Sequence, residues 1–138
     1  MNISKHCTRP AHSIAPGATI IKAMRLMKEV RATCLVVVDD SNRPIGIITG
    51  RDVAVKVVGA GLRANGILVE KVMTQPVITI SGKATIEEAT RTLKSAAVRR
   101  LPVVGDHGQL EGMVTASDLV LLLWSDLNEF GVAMMAEQ

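Results

Sequence analysis

Three observations predict an α+β fold of two strand-helix-strand-strand-helix units packed about a pseudo-twofold axis. The first is an internal repeat. Displacing the sequence by 66 positions aligns Ile3 to Val58 with Val69 to Trp124 without a gap, and about 17 of about 56 pairs are identical. Composition by chance gives far fewer. The second is a pair of apolar runs in each copy separated by turn-forming residues, the pattern of a β-hairpin. The third is a closing motif found twice in register: Gly46-Ile47-Ile48-Thr49-Gly50-Arg51-Asp52 and Gly112-Met113-Val114-Thr115-Ala116-Ser117-Asp118. Each reads as the end of a strand running straight into a helix.

Each copy opens on an extended piece set by a proline, Cys7-Thr8-Arg9-Pro10 and Met73-Thr74-Gln75-Pro76, because proline holds the residue before it out of helical space. Val77 to Ile80 then reads as a strand, and Ala11 to Ile14 as a weaker one. A helix follows. Thr85 with Glu88 forms a capping box ahead of Ile86, Ala89 and Leu93 at helical spacing; in the first copy Thr19 caps Ile20, Ala23, Met24, Met27 and Val30, but Lys22 stands in place of the glutamate. The second start is therefore the firmer one. Met24 and Met27 suit a core stripe or a pocket lining. The hairpins follow, Leu35–Val38 with Ile45–Ile48 and Leu101–Val104 with Leu110–Val114. Their unbroken apolar runs place them in the interior. Last helices are expected over Arg51–Val58 and from Ser117 to about Leu127.

The copies thus span residues 3–58 and 69–127. Residues 59–68 join them, with Gly59, Gly61 and Gly66 as breakers, and the tail 128–138 carries Met134 and Met135, which suit a dimer surface or a fraying end. A unit of this size buries only about 60% of its unfolded surface and is marginal alone, so the halves are expected to share a core.

Composition limits the functions open to such a chain. At 138 residues, 48% hydrophobic and 21% charged, it is a folded globular protein with an aliphatic interior. One Phe, one Trp and no Tyr offer no platform for stacking bases, which argues against a nucleic-acid partner despite a net charge of +3. Cys7 and Cys34 form neither a disulfide framework nor a metal-ligand cluster, and a reducing cytoplasm is the default compartment. The opening residues lack the apolar centre of a signal peptide, and the longest apolar run, Leu119–Trp124, is far too short to span a membrane. His6, His12 and His107 fall in no triad or metal-binding spacing, Cys34 sits among apolar neighbours as a buried and inert thiol would, and there is no Walker loop. The chain does not read as an enzyme, and nothing in it requires a cofactor or metal.

Met73-Thr74-x-Pro76 opening a copy, Leu101-Pro102-Val103-Val104 within it and Gly-x-x-Thr-x-x-Asp closing it, in this order and twice, resemble the CBS-domain family over residues 3–127. The resemblance implies a tandem pair, a Bateman module, whose clefts commonly bind AMP, ADP, ATP, S-adenosylmethionine or NADH and which regulates a protein target, here unidentified; the chain is further expected to form a homodimer. Carried onto this chain, Asp52 and Asp118 would accept ribose hydroxyls and Thr49 and Thr115 would lie beside ribose or phosphate. Arg51, Arg99 and Arg100 would meet phosphate. Ile80, with Leu101 and Pro102, would form the adenine slot, and Ile14 is the counterpart of Ile80 in the first copy. A carboxylate suits a vicinal diol, and a helix N-terminus favours an anion. The first copy departs from the pattern, with Cys34 in place of Arg100 and Val36 in place of Pro102, so the second motif is expected to make the better site. His12, in place of Ile78, is open to a phosphate or simply a surface role. Thr-x-x-Asp is equally a capping box, and an adaptor module that dimerises with empty clefts is the competing reading.

Overall fold

The computed structural model describes residues 2–5 and 10–136. Each repeat folds as a three-stranded sheet flanked by helices. In the first, β1 (Ser13–Ile14) runs parallel to β2 (Cys34–Val38), which pairs antiparallel with β3 (Pro44–Thr49); α1 (Ile20–Val30) makes the crossover and α2 (Gly50–Val53) follows β3. The second repeats this with β4 (Ile80–Ser81), α3 (Ile86–Ala96), β5 (Arg100–Val104), β6 (Leu110–Thr115) and α4 (Ala116–Ala136). The register is the same in both: Ile14 opposes Val37 as Ile80 opposes Val103, and Leu35 opposes Ile48 as Leu101 opposes Val114. Even the irregularity recurs, between Val37 and Val38 and between Val103 and Val104. The expected α+β duplication is the observed fold.

Four elements differ from expectation. β4 occupies Ile80–Ser81 rather than Val77–Ile80, because β5 pairs with it only at Val103 and Val104; β1 is likewise shorter than Ala11–Ile14. The helix expected over Arg51–Val58 starts at Gly50 and changes after Val53 into a π-helical turn, Ala54–Val58. α4 continues well past Leu127 to Ala136, since a lone Gly131 costs only about 1 kcal/mol in a helix and does not end it. Of the opening segment of the first copy, Cys7, Thr8 and Arg9 lie outside the described residues, as does His6.

The interior is two cores rather than one, and each contains an element from the other half. Ile14, Ile20, Ala23, Leu35, Val37 and Ile48 pack with Val69 and Val72, which begin the second repeat. Ile80, Ala84, Ile86, Ala89, Leu101 and Val114 pack with Ile3, which begins the first. The backbone repeats the exchange. The Ile3 amide donates to the Ala84 carbonyl at 3.0 Å and the Val69 amide to the Ala18 carbonyl at 2.8 Å, and the bridges Asn2–Thr85 and Leu68–Thr19 have the same 66-residue relation. If residue i of one copy meets residue j of the other and j also meets i, the two are related by a twofold axis. These four contacts define the pseudo-axis.

Local capping agrees with the sequence. Thr85 and Glu88 close a full box, with the Thr85 amide donating to Glu88 Oε2 and the Glu88 amide to Thr85 Oγ1, both at 3.2 Å, whereas Thr19 receives only the Lys22 amide. Thr85→Ala is expected to lower stability by about 1 kcal/mol, read as a drop in the urea midpoint at constant slope. α1 and α3 both end on a left-handed residue that is not glycine, Arg31 and Ala97, each at φ 56°. This conformation disfavours a side chain by about 1 kcal/mol, and both repeats accept it at the same place in the fold.

Candidate functional site

The two closing motifs are both strand-to-helix corners. At the second, the Thr115 amide donates to Asp118 Oδ2 at 3.0 Å and the Asp118 amide to Thr115 Oγ1 at 3.1 Å; Asp118 is 9% exposed. At the first, Thr49 and Asp52 make the same reciprocal pair at 2.9 and 3.0 Å. Capping is therefore a role that both motifs perform.

The Asp52 carboxylate is engaged at both oxygens: Oδ2 accepts from the Thr49 amide and hydroxyl, and Oδ1 accepts from Thr74 Oγ1 at 3.1 Å and lies 3.3 Å from Lys56 Nζ. Met73 and Thr74 are laid along β3. Thr74 and Ile47 exchange backbone hydrogen bonds at 2.8 and 3.1 Å, and a Cβ on Gly46 would stand 2.6 Å from Met73 Sδ. A Cβ at position 46 would therefore force the Met73 side chain to move.

Thr115 of the second corner lines a cleft of about 260 Å³ formed by both repeats. Pro10, Ala11 and His12 and the α1–β2 connection, Arg31 to Cys34, make one wall; Arg100, Met113 and Thr115 make the other. Strand direction explains the second wall. Arg100 opposes Thr115 in the β5–β6 register, so the arginine and the motif threonine are neighbours at one end of the sheet. Arg100 also spans the opening, its guanidinium donating to Thr33 Oγ1 at 3.3 Å. Among the described residues, Arg31, Arg100 and His12 line the cleft and no carboxylate does.

Among the residues singled out from the sequence, Arg100 and Thr115 line this cleft, and Asp118 is bonded directly behind Thr115. Leu101 and Pro102 are fully buried, Ile80 and Ile14 nearly so, and none of the four is a lining residue. Thr49 and Asp52 are half-buried at the other corner, with Arg51 exposed on α2. His12 does line the cleft, and Cys34, expected to be buried, is half-exposed in its wall. Arg31 and Thr33 were not singled out. The signal for Thr33 lay in the 66-residue repeat, which makes it the counterpart of Arg99; for Arg31 only the left-handed cap identifies it. Among the described residues no cluster of His, Cys, Asp and Glu could hold a metal ion, and no helix is long and apolar enough to cross a membrane.

Fold and cleft together define a duplicated α+β module with a ligand-sized junction between its halves. The family model of the CBS domain matches twice, at residues 3–59 and 69–125, and the chain belongs to the CBS-domain family as a tandem pair. An uncharacterized protein of Methanopyrus kandleri is 36% identical over 106 residues, covering 77% of this chain; the chain spans about half of that relative, 54% of its length. A signal-transduction protein with CBS domains from Burkholderia ambifaria is 30% identical with a TM-score of 0.73, covering 86% of each chain. The CBS-pair protein CBSX2 of Arabidopsis thaliana, solved in complex with AMP, is 25% identical with a TM-score of 0.74, covering 90% of this chain and 96% of that one.

Proposed function

We propose that this chain is a regulatory module that binds an adenosine-containing ligand in the inter-repeat cleft and passes its occupancy to a protein target. One observation carries the reading: Arg100 and Thr115 of the second repeat face His12 and Arg31 of the first across one cleft, so a ligand there touches both halves. Such a ligand shifts the balance between two arrangements of the halves if it binds them unequally. Phosphate meets Arg100, and ribose lies toward Thr115 and Asp118 at the start of α4, where a carboxylate can accept from ribose hydroxyls. The AMP complex of CBSX2 supports an adenosine-containing ligand. AMP, ADP, ATP, S-adenosylmethionine and NADH are the candidate ligands, and no catalytic step is assigned. The exposed Val120, Leu121, Trp124, Leu127 and Met135 of α4 support a homodimer, since solvent-facing apolar patches of this kind mark interaction surfaces.

Thermal unfolding across those five ligands is the test. A ligand at about 100 times its Kd adds about 2.7 kcal/mol of stability, and Asp118→Ala and Thr115→Ala are expected to remove that gain. Stabilisation by none of the five defeats the reading. The two complete capping boxes favour a competing adaptor role in which Asp118→Ala lowers stability by about 1 kcal/mol and no nucleotide changes target binding.

A further inference from the structure

Resting on the reading of the chain as a homodimer, we propose that its two copies associate head to tail: the helical face of the first repeat in one copy lies against α4 and the α3–α4 groove in the other. The observation is an opposition of charge between two faces that the duplication otherwise makes alike. Exposed apolar side chains mark both, Met24, Val55 and Val58 on the first repeat and Leu121, Trp124 and Leu127 on the second. Val55 and Val58 are the 66-residue counterparts of Leu121 and Trp124, so the two patches occupy the same place in the fold. Residues 20–63 hold eight basic and four acidic side chains, whereas their counterparts 86–129 hold four basic and seven acidic. The sign reverses outright at matched exposed positions, Lys22 against Glu88 and Arg63 against Glu129. α4 bears Asp118, Asp126 and Glu129 and no basic residue, while exposed Arg51 and Arg63 flank the apolar positions of the first repeat in sequence.

Two orientations could cover both apolar patches, and the charges choose between them. Head-to-head pairing sets the basic face of one copy on the basic face of the other and α4 on α4, so like charges ring each patch as water leaves it. Head-to-tail pairing sets a basic rim on an acidic one. An apolar centre supplies affinity, whereas complementary rims steer the encounter and reject the wrong register. Each copy presents both faces, so one such contact and its twofold mate close the assembly at two copies. The groove between α3 and α4, about 290 Å³ and lined by Leu93, Val98, Leu119, Val120 and Leu123 among others, gives Val58 and Leu62 of the second copy an apolar seat.

Sedimentation equilibrium on Val58→Asp and Trp124→Asp, each alone and the two mixed, tests the orientation. Val58 and Trp124 are 72% and 70% exposed, so both variants are expected to keep the Tm of the unsubstituted monomer unit while placing an unpaired charge in the contact. Each alone is expected to weaken the dimer at least about 100-fold in Kd, because both of its contacts then include a damaged face. In the mixture one contact combines the two damaged faces and the other is intact. Damage to a contact already lost adds little, so the mixed dimer is expected to form at least about tenfold more tightly than either variant with itself. Head-to-head pairing gives the reverse, since each variant alone keeps one intact contact and the mixture has none. The unsubstituted dimer is also expected to weaken as salt screens the rims. Mixing without gain, or a dimer that salt strengthens, overturns the head-to-tail pairing and leaves the homodimer standing. A monomeric unsubstituted chain overturns both.

Discussion

Replacing Ile3 with alanine is expected to lower stability by about 2 to 5 kcal/mol, the range for removing a buried isoleucine side chain down to its Cβ. Three residues from the start of the chain, such a substitution would ordinarily be silent, because terminal segments are usually loosely held. Ile3 is different. It is fully buried in the core of the second repeat beside Ile80, Ala84 and Ile86, and its amide is bonded to the Ala84 carbonyl. The cavity therefore opens about 80 residues downstream in sequence, in the half to which Ile3 does not belong. Its counterpart Val69→Ala does the same to the first repeat, where Val69 is fully buried among Ile20, Leu35 and Ile48. Urea unfolding followed by the fluorescence of Trp124 and by far-ultraviolet circular dichroism checks both. Coincident transitions that move together in either variant are expected, because neither half completes its core alone. A second repeat that melts separately from the first would contradict the exchange.

Leu101→Ala is expected to cost a comparable 2 to 5 kcal/mol and to leave nucleotide affinity within about twofold at temperatures where the variant is folded. Leu101 is fully buried, packs with Ile80 and Leu93 in the second core and is not among the residues lining the cleft. Its neighbour Arg100 shows the opposite balance. It is half-exposed in the cleft, so Arg100→Gln is expected to lose ligand with little loss of fold. Measuring both variants by urea titration and by AMP binding separates the two roles at adjacent positions of one strand. An Ile80 and Leu101 slot contacting adenine directly would instead show Leu101→Ala losing AMP in proportion to the lost contact.

The contrast between those neighbours shows what a sequence of this kind can disclose. Thr85 with Glu88, the two hairpins and the Thr-x-x-Asp corners are made by residues within a few positions of each other, so their chemistry is visible locally. The repeat extended that visibility, because any feature found in one copy could be sought 66 positions away. Leu101 and Pro102 were harder. Aliphatic side chains at a strand centre suit a core and an adenine slot equally well, and only the packing separates them. Arg31 and Thr33 were hidden for a different reason: their place in the cleft depends on how the end of α1 meets the β5–β6 edge of the other repeat. Nor did apolar periodicity reveal that Ile3 and Val69 trade places, since a buried side chain carries no mark of which core receives it. β4 was overestimated because Val77 to Thr79 have strand-like residues but no registered partner on β5, and propensity without a partner does not make a strand.

The traded segments also set an order of events while the chain is being made. Synthesis proceeds from the N-terminus at about 5 to 20 residues per second, and the first sheet and α1 are translated well before Val69 and Val72, on which their core depends. The first repeat therefore has to wait, with Ile20, Leu35 and Ile48 incompletely covered, for the opening of the second. Ile3 waits longer still, for a core whose last strand ends at Thr115. A nascent chain halted at residue 66 is expected to remain open to protease, and one released at residue 127 to be closed.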